Sequence, residues 1–343
     1  MTRRLVAVSS AVLTVAVLAC APVVAQTVDT APAGPAPLRC QAIDYFEPPA
    51  GSSAVVVDQL EGQNALAVTG SPLELNGPSG ICVLLFRPGN ETPIAVGVTG
   101  ERGRFSFARP APGLFVLVAA SERIRDLAVA VRISDAPPDP DAERGLLLHV
   151  RAEDDDRGGF VSVIRHLALR RELLEMRRLD QEVRNAALAA TRDGASAPGP
   201  EVLSRMASVD AGNIARLQAI VEQHGWPGSD LVGLDGAEGA FLVLQHASHA
   251  VQKELFPLVE AGYGEGTVSG QSYALLLDRI LVRDGRPQVY GSQARPFDEW
   301  MDGEPALEPI EDEANVDARR AALGLPPLEA YRALLKSIYL SER

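Results

Sequence analysis

A change of period near residue 161 constrains this chain most. Between residues 40 and 150 the apolar residues come in eight short runs, at 54–57, 65–68, 81–86, 94–98, 105–108, 114–119, 127–133 and 146–150. Turn signals such as Asn76-Gly77-Pro78, Pro88-Gly89-Asn90 and Gly100-Glu101-Arg102-Gly103 separate them. Many short strands at this spacing predict an antiparallel β-sandwich. From Val161 onward strong helix formers take over, so the expected class is β, then mainly α.

The second half predicts a series of helices. Residues 161–192 read as one helix, with Arg177, Asp180 and Arg184 on one face and Asp180 placed to pair with Arg184. After a loop at 194–200, Asp210 reads as an N-cap, and Ile214, Leu217, Ile220 and Val221 form an apolar stripe. Gly225 and Pro227 stop that helix. A third helix is predicted from about Asp235 to His249 and a fourth through residues 255–261. Residues 280–290 read as one β-hairpin folded at Asp284-Gly285. Two helices end the chain, at 315–323 and 328–340.

The domain reading is therefore a signal peptide at 1–25, a Pro/Ala linker at 26–39, a sandwich at 40–152, an acidic linker at 153–162 and a helical domain at 163–343. Arg3-Arg4, the apolar stretch from Leu5 and Val23-Val24-Ala25 form the export signal. Val17-Leu18-Ala19-Cys20 offers a second reading, a lipobox with Cys20 lipidated. Either processing leaves Cys40 and Cys82 as an even pair, which in an exported protein reads as a disulfide, the alternative being two unlinked thiols. The predicted compartment is the periplasm or the exterior, with an N-terminal lipid anchor under the lipobox reading. No stretch is long enough to span a membrane. Losing Arg3 and Arg4 takes the net charge from −13 to −15, so no general attraction for nucleic acid is expected. The acidic segment from Glu153 to Asp156 lacks the alternation of a calcium loop.

Polar residues set into apolar sequence mark the candidate site. They are His224-Gly225-Trp226-Pro227, Gln245-His246, Gln252, Asp278-Arg279 and the run from Gln288 to Gln293. Buried side chains of these kinds cost several kcal/mol unless paired, so a fold that keeps them uses them in bonding or function. His246 shares a helical face with Leu242 and Val243, which predicts burial. One reading is a neutral histidine satisfied by hydrogen bonds. The sharper reading is a general acid or base oriented by Asp278. Gln245, Gln252, Arg279, Gln288, Tyr290 and Gln293 would then hold a small polar ligand.

Other chemistry is poorly represented. His246 and His249, three apart, are weak metal candidates with Glu254 or Asp278, but His-Glu-x-x-His is absent and no metal or cofactor is predicted. Gly270-Gln271-Ser272-Tyr273-Ala274 imitates a nucleophile elbow in a segment that reads as helix. There is no Gly-rich phosphate loop. His224-Gly225-Trp226-Pro227 reads most simply as a helix stop with an aromatic plug, and Arg319 as a tether for the C-terminal helices.

Two resemblances follow from these residues. Residues 80–120, with Ile94 to Phe107 and Pro112-Gly113-Leu114-Phe115-Val116-Leu117-Val118, resemble carboxypeptidase-regulatory-like (transthyretin-like) domains, with Phe115 where tyrosine is usual. Such modules serve mostly as spacers or docking surfaces. Residues 165–338 resemble the bacterial family called domain of unknown function 6624. The match is carried by Asp180-Gln181 and Arg184, Asp210 and Asn213, His224-Gly225-Trp226-Pro227, Gln245-His246, Gln252, Asp278-Arg279, Gln288 to Gln293, and Arg319 with Leu323-Gly324-Leu325-Pro326-Pro327. Ser248 departs from the family, where aspartate is expected. The family has no assigned reaction, so three functions stand: a binding or sensing module, a hydrolase-like enzyme using His246 and Asp278, or an envelope scaffold meeting a protein partner.

Overall fold

The computed structural model describes residues 40, 43–66, 79–135, 143–155, 158–192, 198–296, 299–301 and 303–341. The signal peptide, Cys20, the 26–39 linker and most of the 194–200 loop lie outside them. The described chain forms two compact units, one within residues 25–273 and one within 274–343.

The first unit opens with nine strands. These are β1 (Val55–Val57), β2 (Glu61–Leu66), β3 (Cys82–Phe86), β4 (Ala95–Val98), β5 (Arg104–Ser106), β6 (Gly113–Ser121), β7 (Ile124–Ile133), β8 (Gly145–Val150) and β9 (Phe160–Ile164). Seven coincide with the predicted runs, while β2 meets the run at 65–68 only at its last two residues and β9 matches none. They form a five-stranded sheet, β1-β7-β6-β3-β4, and a four-stranded sheet, β5-β2-β8-β9. Both sheets are mixed, because β1 runs parallel to β7 and β2 parallel to β8. Long connections between those partners permit the parallel pairings that the purely antiparallel expectation missed.

Period-two alternation sets the core. Leu146, Leu148 and Val150 of β8 meet Val83, Leu85, Phe115 and Leu117 of the other sheet. The intervening Leu147 points the other way, into a cluster with Ala65, Ile164, Leu167 and Leu234. On the outer face of the five-stranded sheet, a disulfide joins Cys40 to Cys82 across 42 positions. Loop-closure entropy makes such a link worth about 4 kcal/mol.

Residues 160–164 correct the helical reading of 161 onward and the linker reading up to 162. Phe-Val-Ser-Val-Ile is β-branched at alternate positions and pairs antiparallel with β8. The helices begin at α1 (Leu167–Arg192), followed by α2 (Pro200–His224), α3 (Ser229–His246), α4 (His249–Gly264) and α5 (Gly270–Arg283). α2 stops as read from sequence: Gly225 takes φ +74 and its N–H reaches Val221 O at 2.9 Å. The cluster of Ala65, Leu147, Ile164, Leu167 and Leu234 joins sheet to helices in one core within the unit at residues 25–273.

α1 and α3 pack closely because α3 carries Gly236 and Gly239, which face Arg170 and Leu173. A Cβ at Gly239 would stand 2.8 Å from the Leu173 carbonyl oxygen, so only glycine allows this approach. Gly233 itself has φ +76 and kinks α3 near its start.

The second unit holds the rest of α5, a loop, α6 (Val316–Ala322) and α7 (Leu328–Ser341). The predicted hairpin at 280–290 is not formed. Ile280 to Arg283 finish α5, and Asp284-Gly285 terminates it instead. The Arg286 N–H bonds Leu281 O at 2.9 Å and the Gly285 N–H bonds Val282 O at 3.0 Å, a Schellman closure with Gly285 at φ +73. Among the described residues no helix is long and apolar enough to cross a membrane.

Candidate functional site

A ladder of charged pairs climbs the α1–α3 seam. Arg165 meets Asp230, Arg170 meets Asp235, Arg177 meets Glu238, and Asp180 meets His246. Sequence position rises together along both helices, so they run parallel here.

The lower rungs are structural. Arg170 is 2% exposed and forks onto Asp235, with Nε–Oδ1 2.9 Å and Nη2–Oδ2 3.0 Å. Its Nη1 donates to Glu61 Oε1 of β2 at 2.5 Å, which ties helix to sheet. Burial opposes the charge on Asp235, but Arg170 beside it, with help from Arg104 and Arg102, holds the carboxyl below its usual range. Glu238 takes Arg177 at 3.3 Å and Arg102, which reaches it from the sandwich turn Glu101–Gly103.

The top rung joins a buried carboxylate to two partly exposed side chains. His246 Nδ1 donates to Asp180 Oδ1 at 2.7 Å, and Arg184 Nη1 lies 2.8 Å from the same oxygen. Gln181 Nε2 donates to Asp180 Oδ2 at 2.9 Å. Arg184 then forks onto Asp210 of α2 at 3.0 and 3.2 Å. Asp180 is 1% exposed, whereas His246 is 13% and Arg184 and Asp210 are each 22% exposed. A buried carboxylate thus fixes the imidazole as its Nδ1–H tautomer and presents the ring near the surface. Asp180 pairs with Arg184 as read from sequence. Its bond to His246, 66 positions away, went unread.

The carboxylate that orients His246 is therefore Asp180, not Asp278. Asp278 sits in the other unit, fully buried, and accepts N–H bonds from Val289 (2.7 Å), Tyr290 (3.1 Å) and Ser292 (3.0 Å). Burial pushes its carboxyl above the ordinary range despite these donors. Gln288, also fully buried, clasps the same loop: Nε2 donates to Gln293 O and Glu308 O, and Oε1 accepts from the Gln293 N–H at 2.7 Å. Gln293 is buried and donates to Leu275 O. The Tyr290 carbonyl accepts from Arg320 at 2.7 Å, and Arg319 donates to the carbonyls of Val289 and Asp312. Arg279 is buried, which pushes its pKa down to about 10. This whole constellation builds the loop from Gln288 to Gln293.

The remaining predicted residues also find places. Gln252 is buried and donates to Leu244 O and Gln245 O, capping carbonyls at the end of α3. Gln245 is buried beside it. Ser248 is the N-cap of α4, accepting from the Val251 N–H, a task aspartate performs equally well. His246 ends α3 and His249 begins α4, with Ala247 extended between them, so the two do not share one helix. Among the described residues no group of three or more His, Cys, Asp or Glu side chains is arranged to hold a metal ion. Ser272 lies in the first turn of α5, where no strand precedes it, so the elbow geometry is absent.

Fold and site together define a β-sandwich joined through a shared core to a helical layer that carries an Asp–His–Arg–Asp group. The helical part matches the model of a family of unknown function, DUF6624, over residues 167–342, and the chain belongs to that family. No curated protein matches the chain.

Proposed function

We propose that this is an exported binding or sensing protein that recognises a small polar ligand at the group formed by Asp180, Arg184, Asp210 and His246. The observation that carries the reading is the contrast in burial along one hydrogen-bonded chain. Asp180 is sealed, while the imidazole and guanidinium it orients remain partly open. A scaffold needs no such opening, and a fixed tautomer beside a fixed guanidinium is a pre-organised donor and acceptor set. The Cys40–Cys82 disulfide supports export, because such links persist in oxidising compartments. The sandwich, with its likeness to carboxypeptidase-regulatory-like domains, would serve as a spacer fused to this module.

The 2.7 Å bond between Asp180 and His246 also favours a second reading, in which His246 acts as a general acid or base in a hydrolase-like reaction with Asp180 as orienter. A thermal-shift panel of small carboxylates, peptides and sugars, run on wild type and His246→Gln, tests the binding reading. At least one probe should raise the wild-type Tm and leave the variant unmoved. Equal shifts in both proteins, or none, would contradict it.

A further inference from the structure

The first half of α3 borders a second recess, whose mostly apolar wall carries a few hydroxyl groups and one carboxylate. Its volume is about 20 Å³, and it is lined by Trp226, Ser229, Glu238, Phe241, Thr267, Ser269 and Ser272, with Leu234, Ala237, Gly266 and Val268 filling the wall. A space of this size holds one water or one hydroxyl group and no ring.

Three features give the recess directed chemistry. Ser229 is 7% exposed, yet its hydroxyl makes no hydrogen bond among the described residues. Ser272, 4% exposed, lies with its Oγ 3.0 Å from Ser269 Oγ, and Ser269 Oγ also accepts the Ser272 N–H. Glu238 is 4% exposed, and both Arg102 and Arg177 close on its Oε2. Arg102 is delivered from a left-handed backbone, φ +58, a conformation that non-glycine residues seldom hold without surrounding contacts to impose it. A carboxylate flanked by two guanidiniums has its charge balanced. Another cation would be repelled, while a neutral O–H still finds an acceptor.

We propose that this recess captures a hydroxyl or hydroxymethyl group of a neutral sugar or polyol, whose ring stays at the mouth against Trp226. Glu238 accepts from the hydroxyl, Ser229 and Ser272 complete its bonds, and the indole packs on the apolar C–H face of the ring. This site is separate from the His246 group and does not depend on it.

Fluorescence tests the proposal directly. In a Trp300→Phe background Trp226 is the sole tryptophan. Glucose, N-acetylglucosamine and mannitol are titrated as probes, with methylammonium as the cationic comparison. At least one neutral probe should change Trp226 emission saturably, with affinity falling at least fivefold in Ser229→Ala. Because the Ser229 hydroxyl takes no hydrogen-bond partner among the described residues, that variant should keep its Tm, which separates lost binding from lost fold. The proposal is overturned if methylammonium alone saturates the signal, if no neutral probe does, or if Ser229→Ala binds the sugars unchanged.

Discussion

Asp180 Oδ1 accepts from His246 Nδ1 at 2.7 Å and also receives Arg184 at 2.8 Å, so one buried oxygen positions two cationic or polar side chains. Replacing Asp180 with Ala leaves Arg184 and His246 facing an uncharged gap. The expected cost is about 3 kcal/mol, the range for removing one partner of a buried ion pair. His246→Gln, which keeps polarity at a partly open position, should cost under about 1 kcal/mol. Urea denaturation of both variants checks the order.

The Arg170–Asp235 fork joins the helices to Glu61 in the sheet. Asp235→Ala should lose about 3 kcal/mol, because the buried guanidinium loses its bidentate partner and keeps only Glu61. In a Trp300→Phe background, fluorescence of Trp226, which sits between α2 and α3, and far-ultraviolet dichroism, which includes the sheets, should report one shared midpoint for the unit within residues 25–273. Separate midpoints would show that sandwich and helices unfold independently.

Two glycines in helices separate packing from propensity. A Cβ at Gly239 meets the Leu173 carbonyl at 2.8 Å, whereas one at Gly212 in α2 meets nothing within 4 Å. Gly239→Ala should therefore destabilise by about 1–3 kcal/mol through forced separation of α1 and α3. Gly212→Ala should stabilise by about 0.5–1 kcal/mol. Paired thermal melts decide.

His149 gives a pH dependence of known sign. It is buried on β8, stacked 4.0 Å from Phe160, with Nε2 2.7 Å from Ser162 Oγ. Burial, with the charge of Arg151, pushes its pKa from 6.5 down to about 4. Between these values the unfolded chain binds the proton and the folded chain does not. The contribution is therefore fully present above pH 6.5 and is lost as pH falls toward 4, by roughly 3 kcal/mol at most. Subtracting the profile of His149→Gln from wild type should isolate that slope, and parallel profiles would contradict it.

Much of the fold was legible because periodicity and turn residues report local structure. Seven strands, the stop at Gly225 and both C-terminal helices follow from such signals. The failures are instructive. Asp284-Gly285 carries the same left-handed glycine whether it closes a hairpin or ends a helix, and the run before it, Leu275 to Val282, is long enough for either. Phe160 to Ile164 looked like a helix start because its pairing partner, β8, is a tertiary fact. In the site, His246 was visible as a polar residue in apolar surroundings and Asp180 with Arg184 as a helix-face pair, whereas Asp210 read as an N-cap and lies inside α2. The pairing of Asp180 with His246 was not visible, since 66 positions separate them and only the packing of α1 on α3 brings them together. The glycine pair at 236 and 239 was the available signal for that packing. Asp278 drew the eye as a buried acid, but three backbone N–H groups already engage it.

Nitrogen-15 NMR of the His246 ring tests the central claim most directly, by reading which nitrogen carries the proton and which responds to added probes. The expected result is an Nδ1–H held by Asp180, with an Nε2 resonance that shifts when a probe from the thermal panel binds and an Nδ1–H preference that weakens in Asp180→Asn. A ring protonated at Nε2 and unmoved by every probe would contradict it and leave the Asp180–His246 pair as architecture.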